Sequence, residues 1–296
     1  MQLRYDAGEI VTAMVTPFDK DREVDFKGVE KLVAHLIDNR TDSILVAGTT
    51  GESPTLTHTE ELEVFKHVKS IANGACKVIM GAGSNSTITA VESTEKAAKA
   101  GADAVLSVVP YYNKPSQAGM YAHFSEIAKS TKLPIIMYNI PSRTGVNMLP
   151  ETVAKLANEF DNIVAVKQSC PDLDFVSEMR LLCPEDFVIY SGDDSLTLPM
   201  LALGAHGIVS VASHIVGNEI YAMIKNYKNG EIKIPKNMHL KLFPLFKKLF
   251  MAPNPVPLKE ALCQMGVIEN YVRRPLVELS DTEKTELMSV LKDYIN

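Results

Sequence analysis

The chain alternates short apolar runs with longer amphipathic stretches, and this alternation is the feature that most restricts its fold. Eight apolar runs have the length of strands: Ile10–Thr16, Ser43–Ala47, Lys77–Gly81, Ala104–Val109, Pro134–Tyr138, Ile163–Lys167, Phe187–Tyr190 and Gly207–Val211. Helical patterns fill the segments between them: Phe26–Asn39, Thr59–Asn73, Ile88–Ala100, Gly119–Ser130, Pro150–Asn158, Leu173–Leu182 and Leu196–Leu203. Strands that alternate with helices in this way form βαβ units and a parallel sheet. Eight of them predict an α/β fold of the (β/α)8 TIM barrel type.

A doubly wound parallel sheet is the alternative arrangement. Dinucleotide-binding sheets of that kind carry Gly-x-Gly-x-x-Gly after their first strand, whereas Thr16-Pro17-Phe18 follows here. The missing glycine motif favours the barrel.

The last part of the chain has helical patterns without further strands. They cover Asn218–Asn229, Lys236–Met251, Leu258–Met265 and Asp281–Ile295. The proline-rich segment Pro253–Pro257 interrupts them once. We therefore predict a catalytic barrel over residues 1–215 and a C-terminal helical region over residues 216–296 that packs against it. The apolar face of Leu240–Phe250 would supply that contact or a subunit interface.

Composition excludes several classes of function. Of the 296 residues, 46% are hydrophobic and 22% charged, which is typical of a soluble globular protein. The formal net charge of -6 argues against a nucleic-acid or anionic-membrane partner. The N-terminus lacks the pattern of a signal peptide, and the four cysteines form no close pair, so we expect a cytoplasmic protein. The histidines show no metal-ligand spacing, so we expect no catalytic metal.

Lys167 closes the apolar run Ile163–Lys167. Lysine is rarely buried without a partner, so a side chain that reaches solvent at the strand end is the commoner arrangement. In an apolar cavity, however, the neutral amine is favoured over the ammonium. A neutral amine can form a Schiff base with a ketone. This run alone leaves both arrangements open.

Polar residues lie at the predicted strand ends or directly after them, which is where barrel enzymes place their catalytic groups. These residues are Gly48-Thr49-Thr50-Gly51-Glu52-Ser53, Pro110-Tyr111-Tyr112-Asn113, the run from Tyr138 to Gly145, Lys167 and Ser191-Gly192-Asp193-Asp194. The barrel hypothesis therefore predicts that they gather at one end of the sheet.

Each of these groups has both a chemical and a structural interpretation. The glycine loop Gly48–Ser53 offers amides and hydroxyls to a carboxylate, or it forms a plain βα turn that caps a helix. Tyr138 can shuttle protons for imine formation, or it can be a core tyrosine. Of Tyr111 and Tyr112, which are adjacent, we expect one to face inward and the other outward. Arg143 lies in a segment predicted to be a Pro/Gly-rich loop, where it can bind a carboxylate or form a surface ion pair.

Taken together, these motifs resemble the dihydrodipicolinate synthase family. The resemblance runs over essentially the whole chain, and it includes Ala252-Pro253-Asn254-Pro255-Val256-Pro257-Leu258-Lys259 in the tail. It implies a pyruvate-dependent enzyme of the class I aldolase type on a (β/α)8 barrel. Such an enzyme condenses pyruvate with L-aspartate 4-semialdehyde without a cofactor and is typically a homotetramer of tight dimers.

The resemblance also implies a role for individual residues. Lys167 forms the Schiff base with pyruvate, and Tyr138 donates and accepts protons. Thr49 and Tyr112 match the proton relay to that tyrosine, and Tyr111 matches a residue that reaches across the tight dimer interface. The substrate-binding positions are Thr50, Val209 and Gly192 on the pyruvate side and Arg143 for the carboxylate of the semialdehyde.

Family members that lysine inhibits bind it at the dimer interface. The positions that match such a site here are Ser53, Pro54, His58, Asn85 and Tyr111. Two other positions of sensitive members correspond to Glu61 and Thr89, and the missing carboxylate at Thr89 removes a partner for an ammonium group. We therefore expect weak or absent inhibition by lysine.

Two other functions remain open at this stage. A lyase for N-acetylneuraminate or a keto-sugar-acid aldolase would share the barrel, the lysine and the tyrosine, but Arg143 and the paired threonines Thr49 and Thr50 favour a short acidic aldehyde. A barrel that binds keto acids without catalysis is a different class of protein. The presence of Lys167, Tyr138 and Thr49 together argues against it.

Overall fold

The computed structural model describes residues 3–295, and its eight parallel strands form a closed barrel in chain order. The strands are β1 Ile10–Ala13, β2 Ser43–Val46, β3 Lys77–Gly81, β4 Ala104–Val108, β5 Ile135–Asn139, β6 Ile163–Gln168, β7 Val188–Ser191 and β8 Gly207–Ser210. The predicted TIM barrel is confirmed. The predicted end of β1 is wrong, because the chain leaves the ladder after Met14 and the amide of Val15 bonds the ring of His214 instead, at 3.3 Å.

The helices follow the predicted pattern with one addition. They are α1 Phe26–Asp38, α2 His58–Ala72, α3 Thr87–Lys99, α4 Gln117–Ser130, α5 Pro141–Thr144, α6 Pro150–Glu159, α7 Leu173–Leu182, α8 Thr197–Ala202, α9 Ser213–Lys228, α10 Lys233–Lys248, α11 Val256–Gln264 and α12 Asp281–Leu291. The addition is α5, a single turn over Pro141–Thr144 that Gly145 follows in the left-handed conformation. The expectation of a loop around Arg143 is therefore wrong, since Arg143 lies in this turn.

Contacts along the chain define two compact units. One comprises Ile79–Val209 and the N-terminal segment that ends at Gly8, with most of β3 and β8, all of β4–β7 and helices α3–α8. Its strands are almost entirely buried, and the six residues of β6 are buried without exception. The domain boundary that we predict at residue 215 stays a prediction.

The other unit comprises Glu9–Val78 and the part of the chain from Ser210 onward. It contains β1, β2, α1, α2 and the C-terminal helices α9–α12. Helix α10 packs on α9 and α12 and buries Leu242, Leu245 and Phe246, while Leu240 and Phe243 stay exposed. Among residues 3–295, the structure has no helix that is both long and apolar enough to cross a membrane.

Candidate functional site

Lys167 and Tyr138 are direct neighbours across the β5–β6 ladder. Paired residues on adjacent strands project to the same side of the sheet, so the two side chains meet. The Lys167 amine lies 4.2 Å from the centroid of the Tyr138 ring. Both side chains are buried, with 7% of Lys167 and 6% of Tyr138 exposed. The strand-end lysine is thus an enclosed amine next to a phenol.

Gly192 follows β7 and lies against the same lysine. Its amide donates to the carbonyl of Gln168 at 2.8 Å, so this backbone continues beside β6. A Cβ added at this position would lie 1.8 Å from Ser169 Oγ and 3.1 Å from Lys167 Cε. Only glycine allows so close an approach, which explains the residue type at this strand end.

Asn139, which belongs to the predicted strand-end run from Tyr138 to Gly145, bonds Gln168 and fixes the ends of β5 and β6 to each other. The Asn139 amide nitrogen donates to Gln168 Oε1 at 3.1 Å and to Asn147 Oδ1 at 2.7 Å. The side-chain Oδ1 of Asn139 accepts from the backbone amide of Met148 at 3.1 Å. These bonds hold the segment after β5, which carries the exposed Arg143, against the end of β6. Polar residues at the ends of buried strands were the available signal.

Tyr111 and Tyr112 lie in the turn after β4. Tyr112 is 89% exposed and Tyr111 is 41% exposed, so the expectation that one of them faces inward is wrong for the single chain. Tyr112 has a φ of 72°, in the left-handed region that non-glycine residues rarely adopt. The side chain of Asn113 donates to the carbonyl of Asn85 at 2.9 Å and ties this turn to the start of α3. The remaining residue predicted in this unit, Val209, is buried in β8.

The glycine loop after β2 is held by the C-terminal part of the chain. The buried hydroxyl oxygen of Thr50 accepts a hydrogen bond from the side-chain amide of Asn254 at 2.9 Å. The hydroxyl of Thr16 donates to the carbonyl of Gly51 at 2.6 Å. Thr49 is half-buried beside them. Thr50 accepts from Asn254 and donates to no acceptor among residues 3–295, so its own proton can bond an anion.

Glu52 and Lys259 form a buried ion pair under this loop. Their charged atoms are 2.5 Å apart. The ammonium of Lys259 also donates to the carbonyl of Tyr271 at 2.8 Å, and the amide of Arg273 donates to Glu52 at 2.9 Å. Burial lowers the pKa of Lys259 to about 8, although the adjacent carboxylate of Glu52 opposes this. No local pattern predicts this pair, and its one signal in the sequence is a lysine within the apolar run of α11.

The residues proposed for an effector are distributed over the two units. In one, Glu61 accepts a hydrogen bond from the hydroxyl of Ser53 at 2.6 Å and contacts the His58 ring at 3.0 Å. Pro54 is exposed beside them. In the other, Asn85 and Tyr111 belong to the segments that the Asn113 bond connects. The carboxylate of Glu61 is therefore already engaged within its own unit.

Comparison with known proteins gives one consistent family. The model of the dihydrodipicolinate synthetase family matches residues 6–294. A 4-hydroxy-tetrahydrodipicolinate synthase of Oceanobacillus iheyensis is 49% identical over 287 residues, which are 97% of each chain. The crystal structure of a dihydrodipicolinate synthase of Bacillus anthracis superposes with a TM-score of 0.96 at 48% identity and covers 98% of this chain and 99% of its own. A monomeric dihydrodipicolinate synthase variant superposes with a TM-score of 0.94 at 40% identity, over 97% of this chain and 96% of its own.

Proposed function

Because the chain belongs to the dihydrodipicolinate synthetase family, we propose that it condenses pyruvate with L-aspartate 4-semialdehyde through a Schiff base on Lys167. The product is 4-hydroxy-tetrahydrodipicolinate, an intermediate of diaminopimelate and lysine biosynthesis. The observation that carries this proposal is the enclosed Lys167 amine, 4.2 Å from the Tyr138 ring centroid. An amine shielded from water beside a proton-transferring phenol suits imine chemistry.

The reaction begins at the amine of Lys167, which attacks the ketone carbon of pyruvate. Protons transferred through Tyr138 convert the carbinolamine hydroxyl to water, which leaves, and a protonated imine remains. The imine withdraws electrons, so a methyl proton is lost and an enamine forms. The enamine carbon attacks the aldehyde of the second substrate. The amine of that substrate then displaces Lys167, which closes the ring and regenerates the free enzyme.

The carboxylates of the two substrates need separate partners. We assign the pyruvate carboxylate to the hydroxyl of Thr50 and the backbone at Val209, with Gly192 leaving room beside Lys167. The free hydroxyl proton of Thr50 supports this assignment, since its oxygen accepts from Asn254. Arg143 receives the carboxylate of the semialdehyde, because a guanidinium bonds carboxylates with paired donors.

We assign Thr49 and Tyr112 to the proton relay that serves Tyr138, and Tyr111 to the interface of a tight dimer. The exposure of both tyrosines in the single chain supports a role that a second subunit completes. We propose that two such dimers pair into a homotetramer, and that the protein is cytoplasmic. Analytical ultracentrifugation tests it, and a monomer with full activity contradicts it.

For an effector, we propose that Ser53, Pro54, His58, Asn85 and Tyr111 line a site with little affinity for lysine. The engagement of Glu61 by Ser53 and His58 supports this, since that carboxylate has partners already. Inhibition of the purified enzyme by submillimolar L-lysine would contradict it.

Two measurements test the catalytic proposal. Borohydride with pyruvate is expected to trap one adduct, which peptide mass spectrometry places on Lys167. A coupled assay with pyruvate and L-aspartate 4-semialdehyde is expected to show turnover, while N-acetylneuraminate is expected to give none. An adduct elsewhere, or turnover of N-acetylneuraminate alone, overturns the proposal.

A further inference from the structure

Ser169 carries a buried hydroxyl for which residues 3–295 provide no hydrogen-bond partner. The residue is 6% exposed, and its Oγ has no partner within reach. Buried polar side chains are nearly always hydrogen-bonded, so an exception requires an explanation. At the end of a barrel strand, where substrates bind, a ligand is the natural partner for such a group.

The position of Ser169 places this hydroxyl beside the amine of Lys167. The amide of Ser169 donates to the carbonyl of Asn139 at 2.9 Å, so the backbone continues the β5–β6 ladder past the last residue of β6. Side chains two residues apart on a strand point the same way. The point where a Cβ would lie on Gly192 is 1.8 Å from Ser169 Oγ and 3.1 Å from Lys167 Cε. Ser169 therefore projects to the same side as Lys167, one layer nearer the carboxyl end of the barrel strands.

We propose that the Ser169 hydroxyl binds the aldehyde oxygen of the second substrate while the carbon–carbon bond forms. This inference rests on the Lys167 imine proposed above. The enamine carbon bonds the aldehyde carbon, and the electron pair of the carbonyl π bond moves to oxygen. That oxygen takes its proton from Tyr138, while Ser169 keeps its own proton and donates a hydrogen bond. The bond strengthens as negative charge develops, which lowers the barrier.

Pyruvate itself offers no oxygen for the Ser169 hydroxyl to bind during this step. The carboxylate is assigned to Thr50 and Val209, the ketone oxygen departs as water, and the methyl group forms no hydrogen bond. When the carbon–carbon bond forms, the substrate oxygen that lies next to the imine is the aldehyde oxygen. The layer beyond Lys167, toward the carboxyl end of β6, is where that substrate meets the enamine.

Two variants separate hydrogen bonding from packing. Ser169→Ala removes the hydroxyl, and Ser169→Cys keeps a side chain of similar size with a weak donor. Ser107→Ala is the matched control. Ser107 is also fully buried without a partner among the described residues, but it pairs with Met137 whereas Val108 pairs with Tyr138. Ser107 thus lies on the opposite face of the sheet from Tyr138.

The readouts are kcat/KM for each substrate and the yield of the pyruvate adduct trapped by borohydride. We expect both Ser169 variants to lower kcat/KM for the semialdehyde by about 10- to 100-fold, as removal of a bond to a charged oxygen does. The adduct yield and the kcat/KM for pyruvate are expected to stay within about twofold of wild type, and Ser107→Ala to stay near wild type in all readouts.

Three outcomes overturn this inference. They are normal use of the semialdehyde by Ser169→Ala, full activity of Ser169→Cys, and an equal loss for both substrates. The proposed function survives them as long as the wild-type enzyme forms its adduct on Lys167. If the wild-type enzyme itself forms no adduct on Lys167, the proposed function fails, and the present inference fails with it.

Discussion

The Lys259 ammonium lies 2.5 Å from the Glu52 carboxylate, and the two side chains are 0% and 1% exposed. Glu52 adopts the left-handed backbone conformation, with φ of 55°, directly after Thr49, Thr50 and Gly51. The ion pair therefore fixes the glycine loop to helix α11 at the point where the backbone conformation is least favourable. A C-terminal helix thus determines the geometry of a loop that the chain forms more than two hundred residues earlier.

Lys259→Met is expected to lower the free energy of unfolding by about 3–5 kcal/mol, because it removes the direct ion-pair partner of the buried Glu52 carboxylate. The double variant Lys259→Met with Glu52→Gln is expected to recover part of this loss. Urea unfolding at pH 7 measures both. The control is Lys129→Met, which breaks the exposed pair of Lys129 with Glu126 and is expected to cost at most about 1 kcal/mol. Equal losses for the two lysines would show that the buried pair has no special role.

Gly192→Ala is expected to abolish the trapped pyruvate adduct or to reduce its yield more than about 10²-fold. The added Cβ would displace the side chains of Ser169 and Lys167, and a small displacement of the reacting amine is enough to slow the reaction strongly. The control is Gly101→Ala in the same unit. Gly101 has a φ of 83° and no atom within 4 Å of an added Cβ. It is expected to lose roughly 1 kcal/mol of stability from backbone strain and to keep the adduct. If the Gly192→Ala enzyme formed the pyruvate adduct as wild type does, Gly192 would not lie as close to Ser169 and Lys167 as the structure shows.

Asn254→Ala is expected to raise the KM for pyruvate about 3- to 10-fold with a smaller change in kcat, because the Thr50 hydroxyl loses the bond that orients it. Asn254→Asp is expected to be worse, since a carboxylate there accepts the Thr50 proton and repels the carboxylate of pyruvate. Steady-state kinetics measure both. The control is Asn226→Ala, which removes a side-chain amide that donates to the carbonyl of Ala222 in its own helix. If the KM for the semialdehyde rose as much as that for pyruvate, Asn254 would not act through Thr50.

Tyr138→Phe is expected to lower kcat by about 10²–10⁴-fold, the usual contribution of a general acid–base group. The ring stays beside Lys167, so the substitution removes the hydroxyl while it preserves the packing at 4.2 Å. Binding of pyruvate is expected to change much less than the rate of adduct formation. Rapid-quench borohydride trapping measures that rate, and near-normal kinetics would remove Tyr138 from the proton path.

The fold and the central pair of the site could be predicted from local sequence because both depend on periodicity. Apolar runs between helices predict the barrel, and the strand-end position of Lys167 and Tyr138 predicts that they meet. Contacts between distant segments could not be predicted in this way. The bonds of Asn254 to Thr50 and of Lys259 to Glu52 join residues far apart in the chain. The exposure of Tyr112 depends on a left-handed turn that no residue type at that position signals.

His123 is a buried histidine that makes the stability of the folded protein depend on pH. Its Nδ1 lies 2.9 Å from the hydroxyl of Thr87, and its Nε2 is buried without a partner among the described residues. Burial lowers the pKa of His123 to about 4, whereas the unfolded chain binds the same proton near pH 6.5. Protonation therefore favours the unfolded state as the pH falls from about 6.5 to about 4, and stability is lost in that window.

His123→Gln is expected to reduce the loss of stability between pH 7 and pH 4.5 by about 2–3 kcal/mol, since glutamine does not titrate. Urea unfolding at the two pH values measures the free energies. The difference within each protein is the relevant quantity, because any packing loss from the substitution is the same at both pH values. A second buried histidine, His214, also has a pKa lowered by burial to about 4 and remains in the variant. The acid sensitivity is therefore expected to shrink without vanishing, and an unchanged difference would show that His123 does not bind a proton on unfolding.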